Sequence, residues 1–206
     1  MPQVAEEYEG AAGKREERKA ANRAKLLAAA RKVFAEKGLG AATARDIVRE
    51  TDLATGTFYN YFDSKDAVFT ALIEELAEKA RDRVRAQRRE PGRTVEERVE
   101  AAYRAYFELV IEERELFEVF RRNAGVIAAM ADRDWFADGE RDLLEDLLAW
   151  ARAGEMPEVD LTLLAQAMFG AGVHVANHLV DENAPDVDAA ARFCARLFLG
   201  GVRALA

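Results

Sequence analysis

Apolar residues in this chain return every three or four positions almost from end to end, and few stretches alternate apolar with polar. That period fits helices, whereas a half-buried strand repeats every two residues. The chain therefore reads as all-α. Stop signals cut the pattern into pieces at Gly38, at Pro91 with Gly92, at Gly154 with Pro157, and at Pro185. With the capped starts between these stops, about nine helices are expected. Residues 1–13, interrupted by Gly10 and Gly13, are expected to be a disordered start. Residues 14–65 make a small three-helix head, and residues 66–206 a larger helical body.

The first helix carries the stripe Leu26, Leu27, Ala30, Val33 and Phe34 and should stop at Gly38. The stretch over residues 43–65 then reads as a helix, a turn and a second short helix. Thr43 with Asp46 three residues on is a capping-box variant, so a helix starts at residue 44. Thr51 and Asp52 should end it, Asp52 tolerating the left-handed conformation that closes helices. The second helix should cover residues 55–62. Phe58 and Phe62, four apart, anchor one face, while Thr55, Thr57, Asn60 and Tyr61 point elsewhere. Side chains of that length and polarity can read base edges and phosphates in a major groove.

Charge agrees with such a division. The chain carries a formal −8 at pH 7, yet residues 11–65 hold 12 Lys and Arg against 7 Asp and Glu, and residues 66–206 hold 18 against 28. A basic head on an acidic body is expected where only the head meets phosphate. A solvated charged surface would have the same composition, so charge alone does not decide.

In register, Thr43, Arg45, Asp46, Ile47, Gly56, Thr57, Tyr59, Tyr61, Phe62, Ser64 and Lys65 match the recurring pattern of one family, and the segment resembles the DNA-binding end of the TetR family of bacterial transcriptional regulators. Four positions depart: Val48 and Thr51 stand where that family usually has Ala, Asp52 where it has Gly, and Ala54 where it has a capping Ser. The missing cap should cost about 1 kcal/mol. The resemblance implies a homodimer that binds a pseudo-palindromic operator in double-stranded DNA and responds to a small-molecule effector. It places Thr43, Tyr59, Tyr61 and Lys65 on phosphates, and Arg45, Thr55, Gly56, Thr57 and Asn60 on bases or the adjacent sugar edge. Arg15, Arg18 and Lys19 are candidates for an arm along the DNA backbone.

In the body, Thr94 with Glu97 forms a capping box, and Asp160 and Asp186 stand where helices should open. A helix over residues 115–130 is expected, and Gly139 should separate Trp135 and Phe136 from the helix after it. Tyr103, Phe107, Phe117, Phe120, Met130, Trp135, Met168 and Phe169 have the bulk to line an effector cavity, in the region where the resemblance puts the inducer. Aromatic residues at helical spacing are also how plain cores pack, and both readings stand. The last two helices are rich in Ala and Gly, which let backbones approach closely. There the resemblance puts the dimer interface, with Gly172, His174, His178, Phe193, Leu197 and Gly201 as candidates.

Neither His174 nor His178 has a Glu three residues before it, the positions being Ala171 and Val175, so no di-iron signature is present and no metal site is expected. Without G-x-S-x-G, a phosphate-binding glycine loop, or a histidine close in sequence to Cys194, catalysis has no constellation to stand on, and no enzyme or cofactor is expected. One cysteine excludes an internal disulfide, which suits a reducing cytoplasm. No apolar run approaching the length of a membrane span is expected, nor a signal peptide, since the first twenty residues are polar. A sequestering or protein-interaction module without specific DNA binding is the alternative. A Lys and two tyrosines on the outer face of the head speak against it.

Overall fold

In a computed structural model, residues 2–125 and 135–205 are described, and every regular element among them is a helix. They are α1 (Pro2–Ala41), α2 (Ala44–Arg49), α3 (Thr55–Phe58), α4 (Lys65–Arg88), α5 (Val95–Glu112), α6 (Arg114–Arg122), α7 (Trp135–Arg152), α8 (Leu161–Asp181) and α9 (Val187–Leu205). The chain divides into two compact units, residues 1–73 with 119–127 and residues 74–118 with 128–206.

Helix α1 begins at Pro2, so the stretch expected to be disordered is helical instead. Ala, Glu, Lys and Arg dominate it, and Gly10 and Gly13 at about 1 kcal/mol each do not break such a run. Gly38 acts as the expected stop: its φ of 75° and ψ of 161° interrupt α1 before a last turn to Ala41. In the first unit Leu26, Ala30 and Phe34 of α1, Ile47 of α2, Phe58 of α3, and Val68, Phe69 and Leu72 of α4 are fully buried. Phe34 and Phe69 meet edge to face at 5.6 Å, and Phe69 meets Phe120 in the same way at 5.3 Å.

The second unit is built around α5, which packs against α8 and α9, while α7 packs against α8. Its core includes Val99, Tyr103, Phe107, Leu147, Ala165, Met168, Ala176 and Cys194. The helix ends follow the sequence closely. Thr94 and Glu97 form the reciprocal capping box of α5, and Asp160 accepts from the backbone N–H groups of Thr162 and Leu163. Asp186 accepts from Ala189 N at 2.8 Å. Gly154, at φ 75°, closes α7 while Glu155 N bonds back to Trp150 O at 2.9 Å, a Schellman arrangement. Arg114 donates to the carbonyls of Val180 and Glu182 and caps the end of α8.

Three further expectations change. Helix α6 ends at Arg122 rather than reaching residue 130. Helix α7 runs through Gly139, whose missing side chain makes room for Phe169: a Cβ there would sit 2.7 Å from Phe169 Cε2. Helix α8, contrary to the expectation, is long and apolar enough by length and composition to cross a membrane. Its small and apolar residues have another use, since it packs against α5, α7 and α9.

Between α4 and α7 lies a ladder of ion pairs. Arg81 Nε and Arg85 Nη2 both donate to Asp142 Oδ2, at 2.9 and 2.6 Å, and Arg81 also approaches Asp138 at 3.5 Å. One turn on, Arg88 Nε and Arg89 Nε donate to the two oxygens of Asp146, at 2.7 and 2.9 Å. Partner numbers rise together, so the two helices run parallel here. Asp138, Asp142 and Asp146 are buried, as is Arg88. Burial alone would raise the Asp142 carboxyl, but Arg81 and Arg85 outweigh it and hold the group below its ordinary range. Burial pulls the Arg88 guanidinium down more than Asp146 pulls it up.

Candidate nucleic-acid interface

The capping box at the start of α2 is formed in full. Thr43 Oγ1 accepts from Asp46 N at 3.2 Å, and Asp46 Oδ2 accepts from Thr43 N at 3.1 Å. The Thr43 hydroxyl also donates to Asp46 Oδ2 at 2.7 Å. Lys37 of α1 reaches Asp46 at 2.7 Å, and its hydrogen bond, followed by that from Thr43, holds the carboxyl down at about 2. A carboxyl depressed in the folded state stabilises above its unfolded value of about 4, and that contribution disappears as pH falls toward 2. Acid titration monitored by circular dichroism should therefore show the Asp46→Asn variant losing less head stability than wild type between about pH 4 and 2. Equal acid sensitivity would remove Asp46 from the account.

No residue other than glycine has positive φ among the described residues, so Asp52 does not close α2 in the left-handed conformation expected of it. Thr51 fastens the turn instead: its hydroxyl donates to Val48 O at 2.8 Å and accepts from Leu53 N at 3.2 Å. This explains how the turn forms without the family's usual Gly at position 52. Asp52 itself is drawn to Lys25 of α1 at 2.9 Å.

Helix α3 is shorter than expected, ending at Phe58, and the chain continues through Phe62 in tight turns, with Tyr61 N and Phe62 N both bonding Phe58 O. Ala54 at its N-cap supplies no side-chain bond, as its sequence implies. What holds the element is Phe58, fully buried, with Phe62 beside it at 6.0 Å between ring centroids. Around those anchors Arg45, Thr55, Gly56, Tyr59 and Asn60 are exposed, with Tyr59 at 58%. An added Cβ on Gly56 would meet nothing within 4 Å, so its backbone lies open to a close approach. Thr57 and Tyr61 are partly exposed.

Two expected contacts are already engaged inside the head. Lys65 directs its ammonium at the carbonyls of Leu39, Gly40 and Ala42, at 2.7, 3.0 and 3.0 Å, closing the end of α1. An ammonium has three donors, and all three are occupied. Thr43 has its hydroxyl committed to the capping box. Both are expected on phosphates from their place in the motif, and position alone does not reveal such partners within the fold.

Two residues escaped that reading. Asn22 Nδ2 donates to the Tyr61 hydroxyl at 3.2 Å, and the Arg23 guanidinium lies 5.4 Å from the centre of the Phe62 ring. Their spacing from Lys19, three and four residues, was the available signal. Three of the head's cations are also paired locally, Lys25, Lys32 and Lys37 with Asp52, Glu50 and Asp46.

The body candidates divide as well. Tyr103, Phe107 and Met168 belong to the core, with the Tyr103 hydroxyl donating to Met168 O at 2.8 Å and its acidity suppressed by burial. Phe117 and Phe169 are partly buried against that core, and Phe120 packs on Phe69 in the first unit. Met130 lies outside the described residues, and Trp135 opens α7 with its side chain outside them. Gly172, a candidate for the dimer contact, is buried inside the chain, where a Cβ would stand 3.1 Å from Tyr103 Cε1. Small residues serve close packing within a chain as readily as between chains, and at Gly172 the close neighbour is Tyr103 of the same chain. His174, His178, Phe193, Leu197 and Gly201 are exposed on α8 and α9. His178 pairs with Glu182 at 2.9 Å, and no group of three or more metal-ligating side chains occurs among the described residues.

Comparison with known proteins gives one consistent answer. Residues 26–72 match the family described as bacterial regulatory proteins, tetR family. The HTH-type transcriptional regulator YvdT of Bacillus subtilis is 43% identical over 63 residues, 31% of this chain and 32% of that protein. YdgC of the same organism, also an HTH-type transcriptional regulator, is 27% identical over 158 residues, 75% of this chain and 78% of that one. A TetR-family transcriptional regulator from Pectobacterium atrosepticum superposes with a TM-score of 0.69 at 25% identity, covering 89% of this chain and 94% of its own. The helix-turn-helix within residues 26–72 is therefore of the type found in the tetR family of bacterial regulatory proteins, and the relatives that resemble the chain through head and body are transcriptional regulators.

Proposed function

We propose that this protein is a dimeric repressor that holds a pseudo-palindromic duplex operator through α2 and α3 and leaves it when a small apolar or aromatic ligand binds the body. The observation that carries the reading is the exposed cluster Arg45, Thr55, Gly56, Tyr59 and Asn60, mounted on the fully buried Phe58. Arg45, Thr55, Thr57 and Asn60 meet base or sugar edges, Gly56 admits close approach, and Tyr59 and Tyr61 reach phosphates. Thr43 and Lys65 contribute from inside, by capping.

Pairing of two chains uses the outer faces of α8 and α9, where Leu163, Phe193 and Leu197 are exposed. Two heads about 34 Å apart then read successive turns of one face of the duplex. The ligand acts only if it binds better to a state with differently spaced heads. Its surroundings would be Tyr106, Phe117 and Phe169, partly buried side chains beside the core.

The test is titration of the purified protein against DNA from immediately upstream of its own gene and against a scrambled duplex, at two salt concentrations. Binding to the first is expected to be at least about a hundredfold tighter. Arg45→Ala should remove about 1–3 kcal/mol of that discrimination. Tyr59→Phe should weaken both duplexes alike, because phosphate contacts carry no sequence information. Equal, weak, salt-sensitive binding of the wild type to both duplexes would overturn the repressor reading.

A further inference from the structure

We propose that the N-terminal extension of α1 is a helical arm whose basic face lies along the phosphates flanking the operator, an inference that rests on the DNA-binding reading above. The extension precedes the segment shared with the family, which begins at residue 26. It is not a separate piece of chain. The first non-helical residue of α1 is Gly38, so the helix that contributes Leu26, Ala30 and Phe34 to the core continues backward without a break. A core-anchored helix fixes the direction of its own extension.

Along it Arg15, Arg18, Lys19, Asn22 and Arg23 follow the spacing of three, four, seven and eight residues that brings side chains to one face. Glu17 falls on the opposite side and Glu16 at the flank. Arg15, Arg18, Lys19 and Arg23 are all exposed. The direction of this face is set by its two inner members: Asn22 donates to the Tyr61 hydroxyl, and Arg23 covers the Phe62 ring. The row of cations thus starts against the end of the recognition segment and leads away from it. From Arg15 to Arg23 it runs about 12 Å, a length over which a duplex presents roughly seven phosphate charges. Continuity with Tyr59 and Tyr61, and charge of the complementary sign, select duplex DNA as the occupant over an acidic protein.

The experiment compares the full-length wild type with an Arg15→Gln, Lys19→Gln, Arg18→Gln triple variant on the upstream duplex and its scrambled control across a salt series. Glu17→Gln, on the opposite side, is the control. Each phosphate contact contributes about 0.9 to the slope of log affinity against log salt, so the triple variant's slope should be shallower by about 2.7. Between 50 and 200 mM salt the wild type should therefore lose about 40-fold more affinity than the variant does. Both duplexes should be affected alike, with helical content by circular dichroism unchanged and Glu17→Gln keeping the wild-type slope. A triple variant with the wild-type slope overturns the arm while leaving the repressor reading intact, provided the wild type still prefers its operator. A slope change of similar size in Glu17→Gln also overturns it, since net charge rather than one face would be responsible. A wild type that binds neither duplex overturns the repressor reading and the arm together.

Discussion

Lys65→Met should lower the stability of the head by about 2–4 kcal/mol in denaturant unfolding and leave the salt slope of DNA binding unchanged. The ammonium of Lys65 bonds the carbonyls of Leu39, Gly40 and Ala42, which lie at the end of α1 around the break at Gly38. Those carbonyls have no helical partner further on, and hydrogen bonds from a charged donor are worth about 1.5–3 kcal/mol each before solvent exposure reduces them. Methionine keeps much of the length and apolar bulk and removes all three donors. A phosphate-binding lysine would behave in the opposite way. Its loss would reduce the slope by about 0.9 and leave unfolding nearly untouched. The two measurements on one variant separate the roles cleanly, and a shallower slope with unchanged stability would return Lys65 to the DNA surface.

The second large effect concerns Asp146→Ala, which should destabilise the second unit by about 3–5 kcal/mol. Asp146 receives Arg88 on one oxygen and Arg89 on the other, and Arg88 is 6% exposed. Removing the carboxylate leaves the Arg88 charge desolvated with its nearest counter-charge gone, the costly half of breaking a buried pair. An Arg88→Met, Asp146→Leu double variant replaces both charges by apolar volume and should recover most of the loss. If the double variant is as unstable as the sum of its parts, the pair is not coupled, and packing around Asp146 is the cause.

Much of this architecture is legible in the sequence because helix ends leave local marks. Thr43 with Asp46, Thr94 with Glu97, Asp160, Gly38 and Gly154 each act within a few residues of themselves, and each does in the structure what its type suggests. Long-range partners leave no such mark. Nothing near Lys65 in sequence indicates the carbonyls it caps some 25 residues earlier, and nothing near Gly172 indicates Tyr103. For the same reason the ladder from Arg81 to Arg89 reads in sequence as a charged surface, although its partners on α7 are buried. The exposed cluster around α3 is legible because Phe58 and Phe62 anchor it at helical spacing, leaving the intervening side chains outward.

That ladder also restricts how chains of this kind can vary in length. Its cations and carboxylates repeat by one helical turn on two parallel helices, Arg81, Arg85 and Arg88 with Arg89 facing Asp138, Asp142 and Asp146. A single residue inserted between Arg81 and Arg88 would swing every following arginine about 100° around α4 and strand a buried aspartate. An insertion of four residues returns the arginines nearly to their face, one turn further along. In descendants of this sequence, then, gaps in this part of α4 should come in multiples near a whole turn, matched in α7, while the segment joining α4 to α5 at Pro91 and Gly92 is free to gain or lose residues one at a time.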